Sequence, residues 1–323
     1  MKTRLLRKPF YLHPTNIDAM TENNKVNLSP DAPELADDAY TPMPDVIGAL
    51  RETLIPKYGP GEAQAMIRLI FHHIKGWTAA DMIINENRPV SAITLMRIRE
   101  IVGRLMNDEP IQYIVGSAYF YGMDFIVRPG VLIPRPETEE LVDMIVNSNK
   151  KSDLRILDAC TGSGCIGIAL ARNLPFSKVT AVDNSEKALE IARENATLLK
   201  AKIDIVNADI NKYEPEPESF DIIVSNPPYI DEKEKADMER NVTDYEPAEA
   251  LFVSDDKPLV FYERIADIGT RALVPGGRIY FEINPNHSDE MNALLQRLGY
   301  ADIHTHLDIH GRRRFMSAVK PAD

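Results

Sequence analysis

The stretch Arg155-Ile156-Leu157-Asp158-Ala159-Cys160-Thr161-Gly162-Ser163-Gly164-Cys165 decides the fold. Arg155 to Asp158 reads as a short apolar strand ending in an acid, and Cys165 to Asn173 reads as a helix. Glycines between them let the backbone turn sharply and approach a ligand closely. The helix then presents free N–H groups to that ligand. The next strand, Lys178 to Asp183, again ends in an acid, about 20 residues after Gly164. A carboxylate at that point can accept hydrogen bonds from both ribose hydroxyls of an adenosine.

Gly167 completes a Gly162-x-Gly164-x-x-Gly167 spacing, so the glycines alone leave a nicotinamide cofactor open. Asp158 points elsewhere. A carboxylate at the end of the first strand suits a cationic ligand with an amino group better than a pyrophosphate. S-adenosylmethionine is such a ligand.

Downstream the alternation continues. Helices are predicted over Ser185 to Lys200, with Ser185 as cap, Pro258 to Leu273, closed by Pro275-Gly276-Gly277, and Ser288 to Leu298. Strands are predicted over Ile203 to Val206, Phe220 to Ser225 and Arg278 to Ile283, with a closing pair Ile303 to Leu307 and Arg314 to Val319. Strands alternating with helices imply βαβ units, an α/β fold and a mostly parallel sheet.

Upstream the pattern is helical. Val46, Ile47, Leu50 and Leu54 recur at helical spacing, as do Ala65, Met66, Leu69, Ile70 and Ile74, then Leu95, Ile98, Ile101, Val102 and Leu105. Ser91 is the expected cap of the last run, and Gly59-Pro60-Gly61 and Gly76 are the expected breaks. Adjacent His72 and His73 point to different sides of such a helix and do not suit a metal. Between Ser117 and Pro136, short β-prone runs broken by Gly122 and Pro129-Gly130 suggest a hairpin. The expected organisation is an unstructured extension over 1–44, a helical substrate-recognition domain over 45–115, a hairpin linker over 116–134 and a catalytic domain over 135–323.

The chain has 323 residues, enough for about two domains. Its 37 Lys+Arg against 49 Asp+Glu leave a net charge of −12, which argues against a broad nucleic-acid footprint. Two cysteines exclude a disulfide framework and a Cys-rich zinc site, which fits a reducing cytosol. No apolar run approaches the roughly 18 residues of a membrane span, and no apolar segment follows the basic start. His304 and His306 would share one face of a strand, but no cysteine ligand is near, so no metal is expected. We expect a cytoplasmic monomer.

The strand Phe220 to Ser225 runs directly into Asn226-Pro227-Pro228-Tyr229. Ligands of open α/β sheets sit outside the carboxyl ends of strands, so this loop faces the same crevice as Gly162 and Asp183. Two prolines stiffen the backbone and remove two donors. The acceptors that remain, the Asn226 side-chain oxygen and the Pro227 carbonyl, suit one planar –NH₂ group. Tyr229 offers a face for stacking. An amide nitrogen is a poor nucleophile because its lone pair is delocalised. Two acceptors holding the –NH₂ favour a more tetrahedral nitrogen whose lone pair points at a sulfonium methyl. Most of the catalysis is then positioning, with reacting atoms about 3–3.5 Å apart. No strong base is needed before attack, because the nitrogen becomes acidic once methylated.

With these residues in place, the sequence resembles the peptide-chain release factor glutamine N5-methyltransferases, over about Asp45 to Val319. The resemblance rests on Pro110 to Gly116, Leu132-Ile133-Pro134-Arg135-Pro136-Glu137-Thr138-Glu139, Asp158 to Gly164, Asp183, Asn226 to Tyr229, and Tyr245 to Leu251. It implies a Rossmann-like class I fold with a mixed seven-stranded sheet, preceded by a small all-α domain and a hairpin. It implies S-adenosylmethionine as cofactor and the glutamine of a Gly-Gly-Gln loop in release factors as substrate. By the same resemblance, Cys160, Thr161, Gly162, Ser163, Gly164 and Asp183 line the cofactor, with Asp209 and Ile210 flanking its adenine. Asn226, Pro227, Pro228 and Tyr229 hold the glutamine amide, with Asn226 also near the cofactor. Arg135, Pro136, Thr138 and Glu139 shape the cleft.

The chain departs from that family at Cys160, at Ile210, at Asn284 to His287, and in a Gly311-Arg312-Arg313-Arg314 stretch more basic than usual, read as a solvated hairpin tip. Cys160 stands where the family has the first glycine of the cofactor loop, and Ile210 where an aromatic is common. Asn284-Pro285-Asn286-His287 replaces a glycine and glutamine, so no role is carried over there. The alternative substrate class is N6-adenine or N2-guanine in DNA or rRNA, which a similar Asn-Pro-Pro-Tyr loop serves. The net charge of −12 weighs against it. An adaptor without activity predicts a damaged loop, and a nicotinamide oxidoreductase gives the Asn226 loop no role.

Overall fold

A computed structural model describes residues 26–322 except 34, 35, 37 and 38. The chain divides into a helical unit ending at Met106 and an α/β unit from Asn107.

In the helical unit, the segment Met43–Lys75 bends at Gly59, whose φ of 75° and ψ of 164° leave the helical region. The segment is therefore two helices meeting at a kink, with Pro60 tolerated as an opening residue of the second. Val46, Leu50 and Leu54, spaced by four, are buried. In the second half, the buried set is Ala63, Met66, Ile67, Ile70 and Phe71. Leu69, expected in the apolar stripe, is 39% exposed, so the buried face lies slightly round the helix from the one predicted. Gly76 closes the helix in the left-handed region, its N–H donating to His72 O at 2.7 Å. Thr78 opens Ala79–Ile84 with a capping box to Asp81. Ser91 Oγ accepts from Thr94 N at 3.4 Å at the start of Ala92–Met106, as the sequence predicts.

Most of the expected extension lies outside the described residues. The part that is described is packed against the helix Ala92–Met106, so the unstructured reading does not hold for it. Arg99 Nε donates to Asn27 O at 2.8 Å and Nη1 to Pro33 O at 2.9 Å, and Leu28 is buried. Pro30 lies so close to Gly103 that a Cβ there would meet its ring at 2.4 Å. Tyr40–Thr41 pairs antiparallel with Val90–Ser91.

The α/β unit is built on a seven-stranded sheet. In chain order its strands are β1 (Arg155–Ala159), β2 (Lys178–Asp183), β3 (Ile203–Asn207), β4 (Phe220–Ser225), β5 (Leu273–Glu282), β6 (Ala301–Leu307) and β7 (Arg313–Val319). Their spatial order is β6-β7-β5-β4-β1-β2-β3. The strands from β3 to β5 are mutually parallel, and β7 runs antiparallel to both its neighbours. The sheet is thus mixed, as expected. Alternate residues of one strand serve opposite faces. Leu157 packs with Tyr262, Ile265 and Met291 on one face. Ile156 packs with Leu141, Ile145 and Leu170 on the other. Helices Val260–Ala272 and Ser288–Arg297 cover the first face, and Pro136–Ser148 and Cys165–Asn173 the second.

Two sequence expectations change here. Pro275-Gly276-Gly277 does not lie between a helix and a strand. It sits inside β5, where the register to β4 shifts between Leu273 and Arg278 and Gly276 has φ 75°. A proline without an N–H and a glycine at positive φ produce a bulge in a strand that continues past them. The hairpin is also shorter than expected, Ser117–Phe120 with Met123–Ile126, and it is packed into the α/β unit. Phe120 and Phe125 meet edge to face, ring centroids 5.8 Å apart, and are buried with Leu141 and Ile145. Val131 and Ile133, predicted within the hairpin, are buried in a segment with no regular structure.

Candidate functional site

After β3 the chain crosses back beside β1 to form β4, so strand order reverses between those two strands. The Ala159–Ser225 pairing fixes where both strands end, and Ser225 Oγ donates to Ala159 O at 2.6 Å. Cys160 and Asn226, the next residue of each strand, are thereby placed side by side at one crevice.

A cleft opens there. Cys160, Thr161, Gly162, Ser163, Asp183, Asp209, Ile210, Asn226, Pro228, Arg135 and Thr138 all line it. Of the side chains named from the sequence, these are the ones the tertiary structure brings together.

The loop after β1 is held by its own carboxylates. Asp183 Oδ2 accepts from Gly162 N at 2.9 Å and its Oδ1 from Ser185 N at 3.0 Å. Burial raises the Asp183 pKa, opposed by those backbone bonds. Each carboxylate oxygen has capacity for about two hydrogen bonds, so both can still accept from a ligand. Cys160 has φ 61°, left-handed backbone that a glycine would adopt freely. The replacement noted in the sequence therefore carries strain of about 1–2 kcal/mol. Burial also pushes its thiol pKa up. Gly167 is needed for close packing, since a Cβ there would meet Asp158 Oδ2 at 2.9 Å.

Other predicted residues do not line the cleft, each for a visible reason. Asp158 is fully buried beneath the loop, where its Oδ2 accepts from Thr161 Oγ1 at 2.5 Å and Gly167 N at 2.9 Å. Burial pushes its pKa up to about 7. It shapes the loop from behind and does not line the cleft, and its Oδ1 is buried without a hydrogen-bond partner. Gly164 caps the following helix, with Ile168 and Ala192 against it. Pro227 is buried in the turn. Tyr229 turns away, its hydroxyl donating to Glu282 Oε1 at 3.1 Å and its ring packed on the core, so the proposed stacking face is not presented. Pro136 is exposed at the first turn of its helix, and Glu139 is only partly buried and lies outside the cleft.

Asn226 is the cleft residue with an open acceptor. Its Nδ2 donates to Thr138 Oγ1 at 3.4 Å, and its Oδ1 is buried without a hydrogen-bond partner. An unsatisfied buried acceptor costs about 1–3 kcal/mol, which an incoming N–H recovers. Three residues that matter were not singled out from the sequence. Glu282 accepts from both Thr138 and Tyr229. Glu246 accepts from Ile133 N and Arg135. Asn195, fully buried, accepts from Ile126 N at 2.7 Å and donates to Ser163 O at 3.0 Å, tying the hairpin to the loop. The acid within Tyr280-Phe281-Glu282-Ile283 was the available signal, because a charge in an apolar run demands partners.

Comparison with known proteins bears directly on this geometry. Residues 51–116 match the PrmC N-terminal domain and residues 137–244 the Methyltransferase small domain. A release factor glutamine methyltransferase of Bacteroides thetaiotaomicron is 45% identical over 277 residues, spanning 85% of this chain and 99% of that protein. The chain belongs to the release factor glutamine methyltransferase family. A second release factor glutamine methyltransferase, from Flavobacterium psychrophilum, is 41% identical over 76% of this chain and 87% of its own length. The fold is also similar to that of a 16S rRNA N2 G1207 methyltransferase from T. thermophilus in complex with AdoMet and guanosine. That pair is 20% identical with TM-score 0.48, covering 63% of this chain and 49% of the other. As a member of the release factor glutamine methyltransferase family, the chain carries Cys160 at φ 61° in the loop after β1.

Proposed function

We propose that this protein transfers a methyl group from S-adenosylmethionine to the side-chain amide nitrogen, N5, of the glutamine in the Gly-Gly-Gln motif of peptide-chain release factors. The observation that carries this reading is the buried, unpartnered Asn226 Oδ1 at the cleft.

The residues present fit the cofactor. Asp183 has free acceptor capacity for ribose hydroxyls, the Thr161-Gly162-Ser163 backbone lies against the cleft, and Ile210 with Phe261 offers an apolar wall for a base. Carboxylates at Asp183, Asp209 and Glu249 make the cleft favourable to a cation. When bound, S-adenosylmethionine supplies an electrophilic methyl on a sulfonium.

The protein's own work is orientation. Asn226 Oδ1 accepts one N–H of the substrate amide and turns its nitrogen toward the methyl. Holding reactants in this way is worth up to about 7–11 kcal/mol of barrier without any general base. The side-chain acceptor that the Asn226 loop leaves open, Asn226 Oδ1, suits a planar –NH₂ group, which is why a glutamine amide is the natural methyl acceptor. The net charge of −12 gives no basis for a stable complex with nucleic acid. Among the described residues no helix is long and apolar enough to cross a membrane. We read the protein as acting in the cytoplasm as a monomer.

Incubating release factor with the protein and S-adenosylmethionine, followed by intact-mass and peptide mapping, tests the reading. One methyl group on the Gly-Gly-Gln glutamine is expected. Transfer to DNA or rRNA and none to release factor would overturn the substrate.

A further inference from the structure

Glu282 ends β5 with its side chain buried, 2% exposed, between two hydroxyl groups. Thr138 Oγ1 donates to its Oε2 at 2.7 Å, and Tyr229 Oη donates to its Oε1 at 3.1 Å. Thr138 Oγ1 is also the atom 3.4 Å from Asn226 Nδ2. Three side chains far apart in sequence thus form one directed chain.

The direction follows from proton counting. Burial raises the Glu282 pKa, opposed by the Thr138 and Tyr229 hydroxyls and the positive charge of Arg314; in its ionised form the carboxylate only accepts, and a threonine hydroxyl has a single proton. Glu282 takes that proton, so Thr138 has only lone pairs left for Asn226. The two ends of an asparagine amide are nearly the same shape, and hydrogen-bond partners decide which end faces which way. A neighbour that can only accept selects the –NH₂ end. The Oδ1 end is then the one left over, as the unpartnered buried Oδ1 records.

We propose that Glu282 is a positioning residue that fixes the polarity of Asn226 through Thr138, so that the site presents an acceptor and selects an amide –NH₂ over a carboxylate. The proposal rests on the reading that Asn226 accepts from the substrate amide, and it extends that reading to the choice of glutamine over glutamate. With Glu282 replaced by glutamine, the new –NH₂ can donate to Thr138. The Thr138 proton then becomes available to Asn226, and the amide can turn its Nδ2 toward the substrate. A glutamate carboxylate, which only accepts, would gain where a glutamine amide loses.

Glu282→Gln, Thr138→Val and Thr138→Ser, each in the full chain, test this against wild type. The substrates are release factor with its Gly-Gly-Gln glutamine intact, for turnover, and with that glutamine changed to glutamate, for binding. For Glu282→Gln, kcat on the glutamine form is expected to fall about tenfold or more, with the dissociation constant of S-adenosylmethionine within about twofold of wild type. The ratio of glutamate-form to glutamine-form affinity is expected to rise. Thr138→Val should lose turnover likewise, and Thr138→Ser, which keeps the hydroxyl, should recover most of it. If Glu282→Gln misfolds, the Thr138 pair alone decides. Undiminished kcat in Glu282→Gln or Thr138→Val, or an unchanged affinity ratio, overturns the relay while leaving the activity intact. No transfer by wild type overturns the substrate reading and the relay with it.

Discussion

Arg135 and Glu246 form an ion pair, Nη2 to Oε1 at 2.5 Å, between residues 111 positions apart. The Glu246 side chain is 1% exposed and that of Arg135 33%. The other oxygen, Oε2, accepts from Ile133 N at 3.0 Å. Tyr113 Oη meanwhile donates to Val131 O at 2.5 Å. The irregular segment from Val131 to Arg135, one wall of the cleft, is therefore held by two side chains and not by a ladder of backbone bonds.

Glu246→Ala should loosen that wall. Leaving the buried Ile133 N–H unsatisfied costs about 1–3 kcal/mol, and the ion pair, partly screened at Arg135, adds a smaller amount. We expect a lower Tm and a weaker affinity for S-adenosylmethionine, read by thermal unfolding with and without cofactor. A Tm equal to wild type would show that the wall stands without Glu246.

Asn226→Ala removes the acceptor but none of the loop that faces the cofactor. Turnover should fall by about a hundredfold or more, while the cofactor dissociation constant by calorimetry stays near wild type. A normal rate in this variant would remove Asn226 from the chemistry.

Asp183→Ala addresses the cofactor alone. A hydrogen bond to a charged group is worth about 1.5–3 kcal/mol, so the loss of one or two ribose bonds weakens cofactor binding at least about tenfold. The Gly162 and Ser185 N–H groups lose their acceptor as well. Unchanged binding by calorimetry counts against the ribose assignment.

Asp158 should give the fold a pH dependence of its own. Burial raises its pKa from 3.8 to about 7, only partly opposed by the bonds from Thr161 and Gly167. The folded state then holds the proton more tightly than the unfolded chain does. The contribution is fully present below pH 3.8 and is lost as pH rises toward about 7. Asp158→Asn cannot titrate, so its Tm should gain on that of wild type as pH rises from 3.8 to about 7. Parallel Tm curves for the two proteins would mean that Asp158 is ionised throughout.

Features carried by neighbouring residues were legible in the sequence. The glycines after β1, the acid ending β2 and the rigid Asn226-Pro227-Pro228-Tyr229 turn all lie within a few residues of a strand end, and Cys160, Asp183 and Asn226 all line the cleft. Features that depend on a distant partner were not. Glu282 meets Thr138 across 144 positions, Asn195 meets Ile126 across 69, and Glu246 meets Ile133 across 113. Tyr229 was read as a stacking face because an aromatic beside a binding loop can stack. A buried carboxylate on β5 claims its hydroxyl instead.

The order of strands and helices, and the residues that end each strand, follow from local periodicity and turn chemistry, which the sequence by itself determines. Which carboxylate lines the cleft is a different kind of question. Asp158 and Asp183 both end a strand, yet Asp158 is sealed under its own loop and Asp183 lines the cleft. Only the tertiary structure decides between them. Burial and hydrogen-bond direction depend on what other strands and helices bring alongside, and one carboxylate's local sequence cannot encode its neighbour's position.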